Sequence, residues 1–267
     1  MSTTTPAWAV SGKSENKRIN CVFVAAGKFH DIDFARLEIL KLLAEDERIR
    51  VRVFEDYSNL EAIRAADFLV TYTCDVVPSL DQQEALRAWV EGGGRWFALH
   101  GTASILRFLS TGEVDSPKLA PHFMETLGSQ FISHPPIGPY LVEVADSEDP
   151  MTQGLEPFEV SDELYLSDVH AELHVLLDTS FEGEATGFAR RDWTAARHPV
   201  LYRRPLGEGS VLYFTLGHCR GHYDMQPLVE YWPEVQKCAW DVPVFYEILK
   251  RGIAWGRGDQ VQQARVA

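Results

Sequence analysis

The sequence predicts an α/β fold in which a mostly parallel central sheet carries helices on both faces. Two observations lead there. Short β-rich apolar runs alternate with helix-length amphipathic segments through the first half of the chain, and each run ends in a loop bearing glycine or histidine. Strands separated by helix-sized segments pair in parallel through right-handed crossovers, and ligands in such folds bind outside the carboxyl ends of the strands.

The elements follow in order. Ile19–Ala25 is a buried strand running into Ala26-Gly27. Residues 33–45 place Phe34, Leu37, Leu40, Leu43 and Ala44 at helical spacing. Arg50–Phe54 alternates as a strand, Leu60–Ala65 is a short helix, and Asp67–Tyr72 is a third strand. Ser79 caps a helix over Leu80–Val90, which Gly92-Gly93-Gly94 stops. Arg95–Leu99 is the fourth strand and ends at His100-Gly101. Beyond it come a helix over Pro121–Leu127 and strands over Tyr140–Val144, Phe158–Leu166 and Leu173–Leu177. Pro199–Arg203 and Ser210–Thr215 form a hairpin around Pro205–Gly209, and Gly217-His218-Cys219 follows directly. An amphipathic helix over Val244–Trp255 closes the fold. No linker-like cluster divides the chain, so residues 18–257 read as one domain between tails at 1–17 and 258–267.

Composition narrows the function. Twenty-five Lys and Arg against thirty-nine Asp and Glu give a net charge of −14, which repels phosphate backbones and anionic lipid. Nucleic acid and membrane are therefore not expected partners; a small molecule is. Four scattered cysteines without a C-x-x-C pair, and no apolar leader or membrane-length run, lead us to expect a cytoplasmic protein.

Three strand ends are the places to look for chemistry: Gly27–His30, Thr73–Asp75 and His100–Ser104. His30, His100, His134 and His218 all fall at strand ends or in Gly/Pro-rich turns, where an imidazole is free to act as base, acid or metal ligand. Asp162 and Glu163 lie inside an apolar run, and strict alternation turns one of them inward. A buried carboxylate needs a cation, a hydrogen-bond donor or a metal. Distant histidines with Glu163 would suit a divalent ion such as zinc, manganese or iron. No Walker loop and no Gly-x-Gly-x-x-Gly follows the first strand, so no nucleotide cofactor is expected. Cys74 and Cys219 are either small buried residues or nucleophiles.

Taken together, Gly92-Gly-Gly-Arg-Trp-Phe-Ala-Leu-His-Gly-Thr-Ala-Ser104, Phe29-His30, Leu127-Gly128, Phe131-x-x-His134-Pro135, Asp162-Glu-Leu-Tyr165, Gly207-Glu-Gly209, Gly217-His218 and Gly252-Ile-Ala-Trp255 resemble the ThuA-like (trehalose utilisation) family over residues 19–256. The resemblance implies a flavodoxin-like three-layer sandwich related to class I glutamine amidotransferases. In those relatives a cysteine occupies the turn after a central strand. Here the turn carries His100, which cannot serve as that thiolate nucleophile.

The resemblance further implies carbohydrate catabolism, with a sugar or keto-glycoside as substrate and acid–base chemistry that is metal-assisted. On that reading His100, Glu163 and His218 are catalytic. His30, His134 and His218 bind metal or a carbonyl oxygen, and Asp75, Thr102, Tyr165 and Tyr223 contact substrate. Trp96-Phe97 departs from the small aliphatics usual before the turn. The aromatic segment 220–233 is either a lid or an interface, and a homo-oligomer is expected. Two other readings stay open: a hydrolase of a non-sugar ester or amide using activated water or Cys74, and a non-catalytic sugar-binding protein.

Overall fold

A computed structural model describes residues 17–259, so the expected tails fall almost wholly outside the described residues. The chain builds β1 (Ile19–Gly27), α1 (Ile32–Leu43), β2 (Ile49–Phe54), α2 (Leu60–Arg64), β3 (Phe68–Cys74), α3 (Leu80–Glu91) and β4 (Arg95–Leu99). A two-stranded hairpin, β5 (Arg107–Phe108) and β6 (Val114–Asp115), precedes α4 (Pro121–Leu127) and β7 (Ser129–Ser133). There follow β8 (Gly138–Val144), β9 (Phe158–Asp162), β10 (Leu166–Val169), β11 (His174–Glu184), β12 (Asp192–Leu206), β13 (Gly209–Phe214) and α5 (Pro243–Arg257).

Nine strands form the central sheet in the order β2-β1-β3-β4-β13-β12-β11-β8-β9. The run from β2 to β13 is parallel, and the strands beyond it pair antiparallel. The run from β1 to β4 was legible because each of its three crossovers is a helix with its own stop and start. Ser79 makes a full capping box with Gln82, for example. No helix among the described residues is long and apolar enough to cross a membrane.

Strand alternation sorts the core into two layers. From β4, Phe97 and Leu99 join the layer under α1 and α5, with Ile39, Leu43, Phe245 and Ile248. Trp96 and Ala98 face the other way, with Ile63, Leu86, Val90 and Phe123 from α2, α3 and α4. The two aromatics in place of small aliphatics are accommodated locally. Trp96 donates its Nε1–H to Thr71 Oγ1 at 2.9 Å, and Phe97 packs where α5 carries Gly252, whose Cβ would lie 2.3 Å from the ring.

Two parts of the second half differ from expectation. Phe158–Leu166 is not one strand: β9 stops at Asp162 and β10 starts at Leu166, with residues 163–165 forming a corner. The hairpin strands β11 and β12 run much longer than their apolar stretches, because their outer parts are polar and half-exposed. The buried strand β7, Ser-Gln-Phe-Ile-Ser, carries no alternation to announce it and pairs with β10.

The parallel half sets the site through close backbone contacts at its carboxyl edge. Gly27 pairs with Cys74 across β1 and β3 at φ 123°, and a Cβ there would sit 1.9 Å from the Cys74 carbonyl oxygen. Gly27→Ala is therefore expected to cost about 2 kcal/mol or more of stability, read as a lowered urea midpoint with unchanged slope.

Candidate metal centre

Four parallel strands deliver their ends to one place. After β1 the chain passes through Phe29 at φ 69° to His30; after β3 it reaches Asp75 at φ 60°. After β4, His100 takes φ 42° and opens a single 3-10 turn over His100–Ala103. The turn after β4 is sharp and carries an imidazole at its first position. Tyr213 holds it by donating its hydroxyl to the His100 carbonyl and accepting from Ala103 N–H at 3.1 Å. Beyond β13, Gly217 and His218 complete the edge, and the Gly217 carbonyl accepts from Tyr72 Oη and Trp240 Nε1, both at 2.8 Å.

The acidic pair enters from the antiparallel side. Asp162 and Glu163 are both buried, not one in and one out, because the strand ends between them and alternation no longer applies. Asp162 is a cleat for the backbone. Its Oδ1 accepts from Glu163 N–H at 2.7 Å and His218 N–H at 3.2 Å, and its Oδ2 accepts from Gly217 N–H at 3.0 Å and Ala239 N–H at 3.1 Å. Burial pushes its pKa up to about 6, against the pull of His100 and the Gly217 N–H. Glu163 then projects into the histidines.

There the donors of His30, His100, His218 and Glu163 all lie within 4.8 Å of one another. His30 Nε2 is 2.9 Å from His100 Nε2, and His218 Nδ1 is 3.0 Å from Glu163 Oε1. Glu163 Oε2 lies 3.5 Å from His100 Nε2 and 3.9 Å from His30 Nε2. The outer ring nitrogens fix the tautomers, since their partners can only accept. His100 Nδ1 donates to Thr215 O at 2.8 Å and His30 Nδ1 to Lys28 O at 3.1 Å. His218 Nε2 donates to Gln236 Oε1 at 2.8 Å, an oxygen that Arg220 also contacts as a donor at 3.3 Å. In the neutral rings all three inner nitrogens therefore present lone pairs to one space.

This donor set fits a divalent cation. The four separations just given, 2.9 to 3.9 Å, are close to the roughly 3–4 Å between ligands of one ion bound at about 2.0–2.2 Å. His218 Nδ1, though close to Glu163, has no hydrogen-bond partner among the described residues. Anchoring of each outer nitrogen by a protein acceptor is the arrangement that orients metal-bound imidazoles. The electrostatics of the cluster are divided. Burial holds His100 and His218 below the ordinary histidine range. For His30, burial is outweighed by Cys74 and Glu163, which push its pKa up to about 10. Burial likewise opposes ionisation of Glu163, and His134 and His218 outweigh it, holding its pKa well below the usual carboxylate range.

The other expected residues divide. His134 stands outside the four-residue cluster, on the cavity side: its Nε2 lies 3.3 Å from Glu163 Oε1 and its Nδ1 donates to Pro135 O at 2.7 Å. His100 and His218, both expected to be catalytic, are fully buried. His218 does not line the cavity and His100 stands behind Tyr165, so both suit ligation and not exchange with substrate. Tyr165 lines it, with its hydroxyl 3.3 Å from His100 Nε2. Asp75 is turned to Lys28 at 2.8 Å and to Leu106 N–H at 3.1 Å. Thr102 is not brought to the cavity: its hydroxyl donates to Leu99 O at 2.7 Å beneath the elbow. Tyr223 is 64% exposed, packs against Tyr231 and His222, and is not on the cavity wall. From the same segment Arg220 and Met225 do reach it, as does Cys74 at the end of β3. Arg220 went unread as a site residue. Its signal was its place two residues after His218 at a strand end. Asp162's role as a cleat and Gln236's as an anchor had no local signal.

Fold and site together define a histidine-lined α/β protein with a centre suited to a metal. The chain belongs to the ThuA family, described as trehalose utilisation, whose model matches residues 21–231. A ThuA-like protein from Parabacteroides merdae is similar at 14% identity over 93% of both chains, with TM-score 0.66. Another from Bacteroides uniformis is similar at 17% identity over 96% of this chain and 99% of that one, with TM-score 0.61. A GMP synthase-like protein from Thermoplasma acidophilum matches at 12% identity over 90% and 96% of the two chains, with TM-score 0.46. No curated protein gives a significant match.

Asp162→Asn tests the cleat. An amide nitrogen cannot accept, so two of the four backbone donors lose their partner, at about 1–3 kcal/mol each. The expected result is a lower urea midpoint together with faster amide exchange at Gly217 and Ala239.

Proposed function

We propose that the protein is an enzyme of carbohydrate catabolism that acts on a sugar or keto-glycoside by proton transfer beside a divalent metal. One observation carries this reading. Three imidazoles, each anchored by its outer nitrogen, turn their inner nitrogens and Glu163 to one point at the base of a cavity of about 330 Å³. His30, His100, His218 and Glu163 would hold the ion; zinc, manganese and iron all suit nitrogen and oxygen donors. Bound there, it would supply Lewis acidity to a carbonyl or hydroxyl oxygen.

The chain's own groups account for the proton. A ketone at C3 of a glycoside acidifies the neighbouring C2–H bond. His134 is the base, with Nδ1–H held by Pro135 and Nε2 aimed along the cavity side of Glu163. It takes the proton from carbon, and the electron pair left behind expels the glycosidic oxygen at C1. The departing oxygen receives a proton from the Tyr165 hydroxyl or from the imidazolium just formed, so the step balances as an elimination. Arg220, whose Nη2 lies 4.0 Å from Glu163 Oε1, faces the negative charge that gathers on the substrate oxygens.

Metal analysis of protein purified without chelator tests the centre, with the same assay on variants. We expect about one equivalent of a divalent metal, falling below about a tenth of that in His100→Ala and His218→Ala. His134→Ala should keep its metal and lose turnover of a 3-keto-glycoside by about a hundredfold or more. Metal-free wild-type protein would remove the metal from the mechanism. Unaltered turnover in His134→Ala would end its role as base. A second reading has one observation behind it: Cys74 lines the same cavity. Alkylation of Cys74 that abolishes turnover with metal still bound would favour a thiol hydrolase.

A further inference from the structure

Resting on the reading of the histidine floor as the reacting centre, we propose that the outer half of the cavity binds a flat apolar ring. The substrate class is then an aryl glycoside and not an unsubstituted disaccharide. The cavity's polar side chains come from the strand ends and the 163–165 corner, and most of its apolar lining comes from Phe29, Leu106, Phe108, Phe131, Ile137 and Phe188, with Phe131 packed on Tyr165 and Phe188 on His134. None of these six side chains offers a hydrogen-bond donor or acceptor. A second sugar ring against them would surrender water from its hydroxyls without replacement, while an aromatic ring has none to satisfy.

The aromatic wall is also preformed. Phe29 and Phe108 pack with ring centroids 5.3 Å apart, and Phe131 and Phe188 at 5.8 Å. The β5–β6 hairpin that carries Phe108 is tied to the turn before Phe188, since Val114 N–H donates to Gly187 O at 2.8 Å and Ala189 N–H to Val114 O at 2.9 Å. Phe108 nevertheless stays 40% exposed at the mouth, so it presents apolar surface that a ligand would cover. The volume of about 330 Å³ is at the small end of ligand pockets and suits one sugar with one ring attached.

The test is titration of the full chain as isolated with phenyl and methyl glucopyranosides of both anomers, followed by ligand-observed NMR and calorimetry. The phenyl compound of one anomer should bind about tenfold or more tighter than its methyl counterpart. That preference should shrink to about threefold or less in Phe108→Ser, whose partly exposed position leaves the core intact, and in Phe188→Ala. Equal affinities overturn the proposal, as does binding of neither compound or a preference that survives both variants. Metal content measured on the same samples separates the two readings: phenyl preference in metal-free protein keeps the aryl site and removes the metal, and metal without phenyl preference does the reverse.

Discussion

Three imidazole lone pairs and a carboxylate cannot share one dry space unless positive charge stands among them, and the site of this protein is organised around that constraint. His30 and His100 present their Nε2 atoms 2.9 Å apart, each with its other nitrogen committed to a backbone carbonyl. Neither ring can flip to relieve the repulsion without abandoning that carbonyl. A proton can fill the gap: burial opposes it at His30, but Cys74 and Glu163 outweigh burial and push that ring towards its charged form. A divalent ion fills it better, because it also answers the free His218 Nδ1 and the Glu163 carboxylate in the same step.

Holding such a cluster requires a stiff frame, and the frame is stiff where the backbone is strained. Phe29, Asp75 and His100 all adopt left-handed φ without being glycine. Each lies just past a parallel strand, and each costs of the order of 1 kcal/mol or more that the surrounding contacts must offset. Asp162 and Tyr213 are the visible compensation. One gathers four backbone N–H groups from three segments, and the other clamps both ends of the His100 turn. The turn after β4 thus presents an imidazole, held in a left-handed conformation by contacts from outside the turn.

The parallel half was legible in the sequence because its information is local. Ser79 with Gln82, the Gly92–Gly94 stop and the apolar run of Phe68–Cys74 each report on a single element. The strand-end rule then placed His30, His100 and His218 together without any knowledge of the side chains between them. What escaped was information carried by contacts distant along the chain. The break after Asp162 depends on Gly217 and Ala239, far along the chain. Strand β7 is buried by β10, not by its own pattern. Thr102 looked available because it sits on a functional turn, yet a 3-10 turn rotates its hydroxyl back to Leu99.

The same division between local and distant information separates chemistry from specificity. The histidine floor is built by the sheet, from residues whose positions are fixed by strand pairing. The aromatic wall takes Phe108, Phe131 and Phe188 from the β5–β6 hairpin, the strand β7 and the 185–189 turn, outside that sheet's parallel half, and only Phe29 of its aromatic rings from the turn after β1. A substitution at Phe108 can change volume and polarity without touching the ring nitrogens, since its ring packs on Phe29 and carries no hydrogen-bonding group, whereas Phe188 also packs on the His134 ring at 4.9 Å. A substitution in the floor changes charge balance in a buried space and is felt by every other member. On the reading proposed above, the chemistry rests on side chains at the strand ends, while substrate choice is free to vary on the loops attached to them.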